Sequence, residues 1–100
     1  MAKSKQEIID AIDAYISKGG GGYSVWYVGI SSDAKDRLFT EHRVRVKGDL
    51  WICDQASSSQ EAREIEDYFV NTLGTEGATG GGDYTTDMVY AYKKAPHTDP

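Results

Sequence analysis

Tyr23 to Ile30 constrains the fold of this chain more than any other segment. Tyr23, Val25 and Tyr27 alternate with Ser24, Trp26, Val28 and Ile30, so an extended strand here carries bulk on both faces. Such a strand needs cover above and below, and that predicts a central place in the sheet. Gly19 to Gly22 lead into it as a flexible connection.

The flanking segments supply that cover. Ser4-x-x-Glu7 is a capping-box pattern, after which Ile8, Ile9, Ile12, Tyr15 and Ile16 recur at helical spacing; a first helix runs from about Lys5 to Lys18 and stops at Gly19. Ser31 or Ser32 can cap a second helix from Ala34 to His42, with Ala34, Leu38 and Phe39 facing inward. Leu50 to Gln55 reads as a single strand, the alternative being a hairpin about Gly48-Asp49. A second capping box, Ser58-x-x-Glu61, opens a third helix that ends at Gly74. Thr86 to Lys93 makes the last strand, with Met88, Tyr90 and Tyr92 alternating against Val89 and Ala91. The fold class expected is therefore α/β, of the α+β kind: one domain over residues 1–100, with a small three-stranded sheet packed by three helices and residues 95–100 as a frayed tail.

Composition narrows the function. No apolar run approaches the ~20 residues that cross a bilayer, and the first residues lack the apolar stretch of a signal peptide, so a cytoplasmic protein without a membrane partner is expected. The one cysteine, Cys53, can form neither an internal disulfide nor a cysteine-based zinc site and is expected as a small buried hydrophobe. A net charge of -5 argues against nonspecific grip on nucleic acid through many phosphate contacts. Any DNA or RNA binding must be local or metal-assisted.

Several side chains carry chemistry. Ala62, Ile65, Phe69 and Leu73 form the apolar stripe of the third helix, and Glu66 falls among them. A carboxylate on a core-facing stripe needs a partner: an arginine at the core rim, a hydroxyl, a metal ion or a water-filled cleft. His42 is a candidate acid or base, or a half-exposed histidine at a helix end that favours the dipole. Arg43, Arg45 and Lys47 alternate, so an extended segment would present three cations on one side as phosphate contacts; a solvated loop is the alternative. Gly77 to Asp83 lacks the Gly-Lys-Ser/Thr ending of a P-loop and is expected as a connector.

Tyr27-Val28-Gly29, Arg37, His42 and Ala62-x-x-x-Glu66 together resemble the second half of the GIY-YIG nuclease pattern. In that family a Tyr-Ile/Val-Gly strand is followed ten residues on by a helical arginine, as Arg37 follows Tyr27 here, and a later helix carries a metal-binding glutamate. The resemblance implies a GIY-YIG-like core with an extra N-terminal helix. It further implies metal-dependent endonuclease activity, in which Tyr27 positions or activates water, Arg37 holds the scissile phosphate and Glu66 ligates Mg²⁺ or Mn²⁺. The family's Gly-Ile-Tyr strand precedes that triplet and pairs with it. Here Gly-Gly-Tyr23-Ser-Val-Trp26 runs straight into Tyr27, with Tyr23 as an accessory residue, and Val89-Tyr90-Ala91-Tyr92 could take the strand's place, bringing Tyr90 or Tyr92 to the site. The alternative function is a noncatalytic relative that binds a protein or nucleic acid through the same cleft and the Trp26, Trp51 and tyrosine surfaces.

Overall fold

The computed structural model describes residues 2–77 and 82–100. Most of the glycine-rich connector therefore lies outside the described residues.

Helix α1, Lys5–Gly19, begins on a capping box that closes in both directions: Ser4 Oγ accepts from the Glu7 N–H, and the Glu7 carboxylate accepts from the Ser4 N–H. It ends on Gly20, whose φ of 79° is open to glycine at no steric cost. A single 3₁₀ turn, Tyr23–Val25, then delivers the chain into strand β1, Trp26–Ser31. The strand thus starts three residues later than the alternation predicts (26 against 23), and Tyr23 and Val25 pack with the α1 layer rather than beside Tyr27.

Strand β1 continues through Ser31, so the cap of the next helix falls to Asp33 instead of Ser31 or Ser32. The Asp33 carboxylate accepts from the Asp36 N–H while Ser31 Oγ accepts from the Asp33 N–H. Helix α2, Ala34–Asp36, widens at once into a π-helical segment, Arg37–Glu41, closed by His42 N–H on the Arg37 carbonyl at 2.8 Å. Strand β2, Trp51–Gln55, is single, with no hairpin before it. Helix α3, Ser59–Asp67, keeps half of its expected capping box, since Ser58 Oγ accepts from the Glu61 N–H without the return bond. It too widens into a π-helical segment, Tyr68–Leu73, and ends on left-handed Gly74. Strand β3 is Met88–Lys93.

The sheet is antiparallel throughout in the order β1-β3-β2, so the central strand is β3 and β1 lies beside it. Bulk on both faces of β1 reflects cover above and below, not a lateral position. Trp26, Val28 and Ile30 enter an apolar core with Ile8, Ile12 and Ile16 of α1 and Ala62, Ile65 and Phe69 from the α3 region. On the opposite face Tyr27, Tyr90 and Tyr92 pack with Ala34, Leu38 and Val44. The outer edge of β1 is capped over Trp26 to Val28 by Glu76, through Val28 N–H to Glu76 O and Glu76 N–H to Trp26 O, both 2.9 Å.

Residues 95–99 carry hydrogen bonds among themselves and back to the body of the fold. Asp99 N–H donates to the His42 carbonyl at 2.8 Å, Thr98 Oγ1 accepts from Ala95 N–H at 2.9 Å, and His97 meets Asp49 at 2.6 Å. Polar anchors of this kind carry no hydropathy signal. Among the described residues no helix is long and apolar enough to cross a membrane.

Candidate functional site

Where Glu76 stops covering β1, a cavity of about 80 Å³ opens at Gly29 and Ile30. It is lined from both layers of the molecule: Tyr27, Tyr90 and Arg37 from the tyrosine side, Glu66 from α3, and Gly82. Tyr27, Arg37 and Glu66, which belong to three separate elements, therefore meet at one place.

Gly29 lets this happen. It pairs directly with Tyr90 across the β1–β3 ladder, and a methyl group at Gly29 would collide with the Tyr90 ring and hydroxyl. The phenol lies across the bare backbone, and Tyr90 borders the cavity beside Gly29. Tyr27 pairs with Tyr92, and their rings stack with centroids 5.3 Å apart.

Glu66 is 2% exposed, and its Oε1 has no hydrogen-bond partner among the described residues. Burial pushes its carboxyl up to about 7; the Arg37 charge opposes this and Asp67 adds to it. Arg37 does not ion-pair with Glu66. Its Nε lies 3.5 Å from the carboxylate of Glu41, one turn on, an ion pair without hydrogen-bond geometry. The Glu66 carboxyl, with Oε1 unpartnered among the described residues, and Arg37, whose acidic contact is Glu41, thus line one small polar cavity.

His42 stands behind this wall and is not exposed at a helix end. It is 6% exposed, its ring is 4.7 Å from that of Tyr27, and its Nε2 lies 2.7 Å from Tyr90 Oη. Nδ1 lies 2.8 Å from the Asp99 carbonyl and 3.3 Å from Tyr92 Oη. Burial holds the Tyr90 and Tyr92 phenols well above their ordinary range, reinforced in both by Tyr27. Burial also raises Tyr27, with Glu66 adding and Arg37 opposing.

The other expected residues lie elsewhere. Tyr23 donates to Asp13 of α1 at 2.6 Å, away from the cavity, because the 3₁₀ turn points it toward the helix layer. Arg43 and Arg45 are exposed on either side of buried Val44, but residues 46–48 form a turn, so Lys47 does not extend one cationic row. Trp26 is wholly buried with its indole N–H on the Gly20 carbonyl, which removes it as a recognition surface; Trp51 is half-buried. Cys53 is half-buried too, its thiol raised by that burial. The Asp99 main chain has no side-chain signature in the sequence, and the pairing of Gly29 with Tyr90 is marked there only by a glycine and an aromatic-rich strand.

No family model, curated protein or solved structure matches the chain. Among the described residues no group of three or more His, Cys, Asp or Glu converges as a metal cluster, so the Glu66 cavity offers a cation one protein carboxylate.

Proposed function

We propose that the chain is a metal-dependent phosphodiesterase acting on nucleic acid, a GIY-YIG-like endonuclease. The observation that carries this is the unpartnered Oε1 of buried Glu66 in a cavity shared with Arg37 and two tyrosines. A rim salt bridge, the structural alternative for Glu66, would join it to Arg37, and no such pair is present among the described residues.

The residues fit the chemistry. Mg²⁺ and Mn²⁺ in phosphoryl enzymes are commonly held by one or two carboxylates plus waters and substrate phosphate, and Glu66 supplies one such carboxylate. When bound, the cation offsets negative charge on the phosphoryl oxygens and polarises water. Arg37 brings a planar guanidinium suited to clamping a phosphate through paired N–H donors. Tyr27 and Tyr90 set the hydroxyl wall against which the attacking water is oriented. Arg43 and Arg45, exposed on either side of Val44 in the loop after His42, offer a local track for the flanking backbone on a chain of net charge -5.

The strand order supports the resemblance in an altered form. The strand beside β1 is β3, so the place of the family's Gly-Ile-Tyr strand would be filled from the other end of the chain. A noncatalytic binding module is the competing function, favoured by the acidic net charge.

Cleavage of single- and double-stranded DNA and RNA with added Mn²⁺ or Mg²⁺ tests the proposal, alongside thermal melts of wild type, Glu66→Ala and Arg37→Ala. Both variants should lose cleavage and keep their fold. A wild type inactive on every substrate, with a Glu66→Ala variant that melts far lower, would establish the carboxylate as structural and the module as noncatalytic.

A further inference from the structure

Resting on the phosphodiesterase proposal, we infer that the main chain at Asp99 locks His42 in the one tautomer that accepts the Tyr90 proton, making Tyr90 the hydroxyl through which the attacking water is deprotonated. The C-terminal segment is then part of the site, although it lines none of the cavity.

For the neutral imidazole the hydrogen-bond chemistry allows one arrangement. A backbone carbonyl only accepts, so the 2.8 Å contact between Asp99 O and His42 Nδ1 requires the proton on Nδ1. Tyr92 Oη, 3.3 Å from the same nitrogen, can share that proton as a second acceptor. In the neutral ring Nε2 then carries a bare lone pair, and the hydroxyl 2.7 Å away is Tyr90, which must donate to it. With its proton directed at His42, the buried Tyr90 Oη is left with its lone pairs to accept, and Tyr90 borders the same cavity as Glu66 and Arg37. Asp99 fixes the imidazole from two sides, because its own N–H also donates to the His42 carbonyl at 2.8 Å. Tyr27 sits against the ring but makes no comparable hydrogen bond to it.

The proton path balances. A water proton passes to Tyr90 Oη as the Tyr90 proton passes to His42 Nε2. The water oxygen forms the new P–O bond, and the leaving sugar oxygen departs with the electron pair of the bond that breaks and takes a proton from solvent. His42 is left as an imidazolium whose Nδ1–H remains on the Asp99 carbonyl, the orienting role that a third group plays behind a general base. Asp99 is a positioning residue acting through its main chain.

The test is ¹⁵N NMR of the His42 imidazole in the full chain, combined with cleavage rates. Wild type should show a protonated Nδ1 and a bare Nε2. Asp99→Pro, which removes the N–H and displaces the carbonyl, should release that tautomer and slow cleavage at least about tenfold; Asp99→Ala, which keeps the main chain, should retain the wild-type tautomer. Tyr90→Phe should shift the Nε2 resonance and cost roughly 100-fold or more in rate. A proton on Nε2 in wild type, or a Tyr90→Phe variant that cleaves at the full rate, overturns the inference while leaving the phosphodiesterase standing. A wild type that cleaves nothing overturns the enzymatic function and the relay with it, and the spectrum then decides the lock alone.

Discussion

The two faces of the sheet are built from the same three strands and differ in kind. Under α1 and α3 the face is hydrocarbon: Val28, Val89 and Ala91 meet Ile8, Ile12, Ile65 and Phe69. Under α2 it is aromatic and polar: Tyr27, Tyr90 and Tyr92 surround His42. Strand β3 takes part in both, with Val89, Tyr90, Ala91 and Tyr92 all fully buried. The hydrocarbon face gains from every buried methylene and has no directional demands. The tyrosine face must satisfy each hydroxyl and ring nitrogen, so its geometry is set by hydrogen bonds. Hydrocarbon packing therefore dominates one face and hydrogen-bonded polar groups the other, and the cavity forms at β1, where Glu66 and Arg37 meet.

The sharpest way to break that division is to empty the hydrocarbon face. Phe69→Ala removes a fully buried ring and should cost about 3–5 kcal/mol by denaturant unfolding. A loss below about 1 kcal/mol would mean that the tyrosine face carries the fold.

Glu66 gives the next effect. Burial lifts its carboxyl from 4.5 to about 7, so between those values the folded chain keeps a proton that the unfolded chain releases. Stability from this group is full below pH 4.5 and is lost as pH rises through about 7. Glu66→Gln should remove that slope, leaving the variant on the order of 2–3 kcal/mol more stable than wild type near pH 8 and little changed near pH 4. Adding Mn²⁺ near pH 8 should recover stability in wild type and not in Glu66→Gln, measured as the shift in melting temperature. A wild type whose stability rises over that pH range would place a paired, not an orphaned, carboxylate at the site.

The smallest effect concerns the segment that leaves the tyrosine face. Arg43 has a φ of 60°, the left-handed conformation at which glycine usually ends a helix. Arg43→Gly should raise stability by up to about 1 kcal/mol and, by removing an exposed cation, weaken nucleic-acid binding in a salt-dependent way. Unchanged binding would take Arg43 out of the proposed phosphate track.

Much of the hydrocarbon face is legible in the chain itself. The isoleucine spacing of α1 and the Ala62, Ile65, Phe69 stripe of α3 are periodic signals, and periodicity is local. The candidate site is legible only in part. Glu66 stands out because a carboxylate breaks an apolar stripe, and Tyr27, Gly29 and Arg37 because their spacing resembles a known pattern. The error at Tyr23 has a local cause: alternation cannot distinguish a strand from a 3₁₀ turn leading into one, and the choice follows from the three preceding glycines, all at positive φ.

The order of three helices and three strands, capping of α1, the stop at Gly74 and the abnormal position of Glu66 were determined by the sequence alone, since each depends on residues within a few positions of one another. Tertiary structure decided which strand is central, that Tyr90 covers Gly29, and that Asp99 reaches His42 across 57 positions. Those outcomes depend on register and on main-chain hydrogen bonds between distant segments. A backbone carbonyl is the same in every residue, so no side-chain pattern announces which one will hold the histidine.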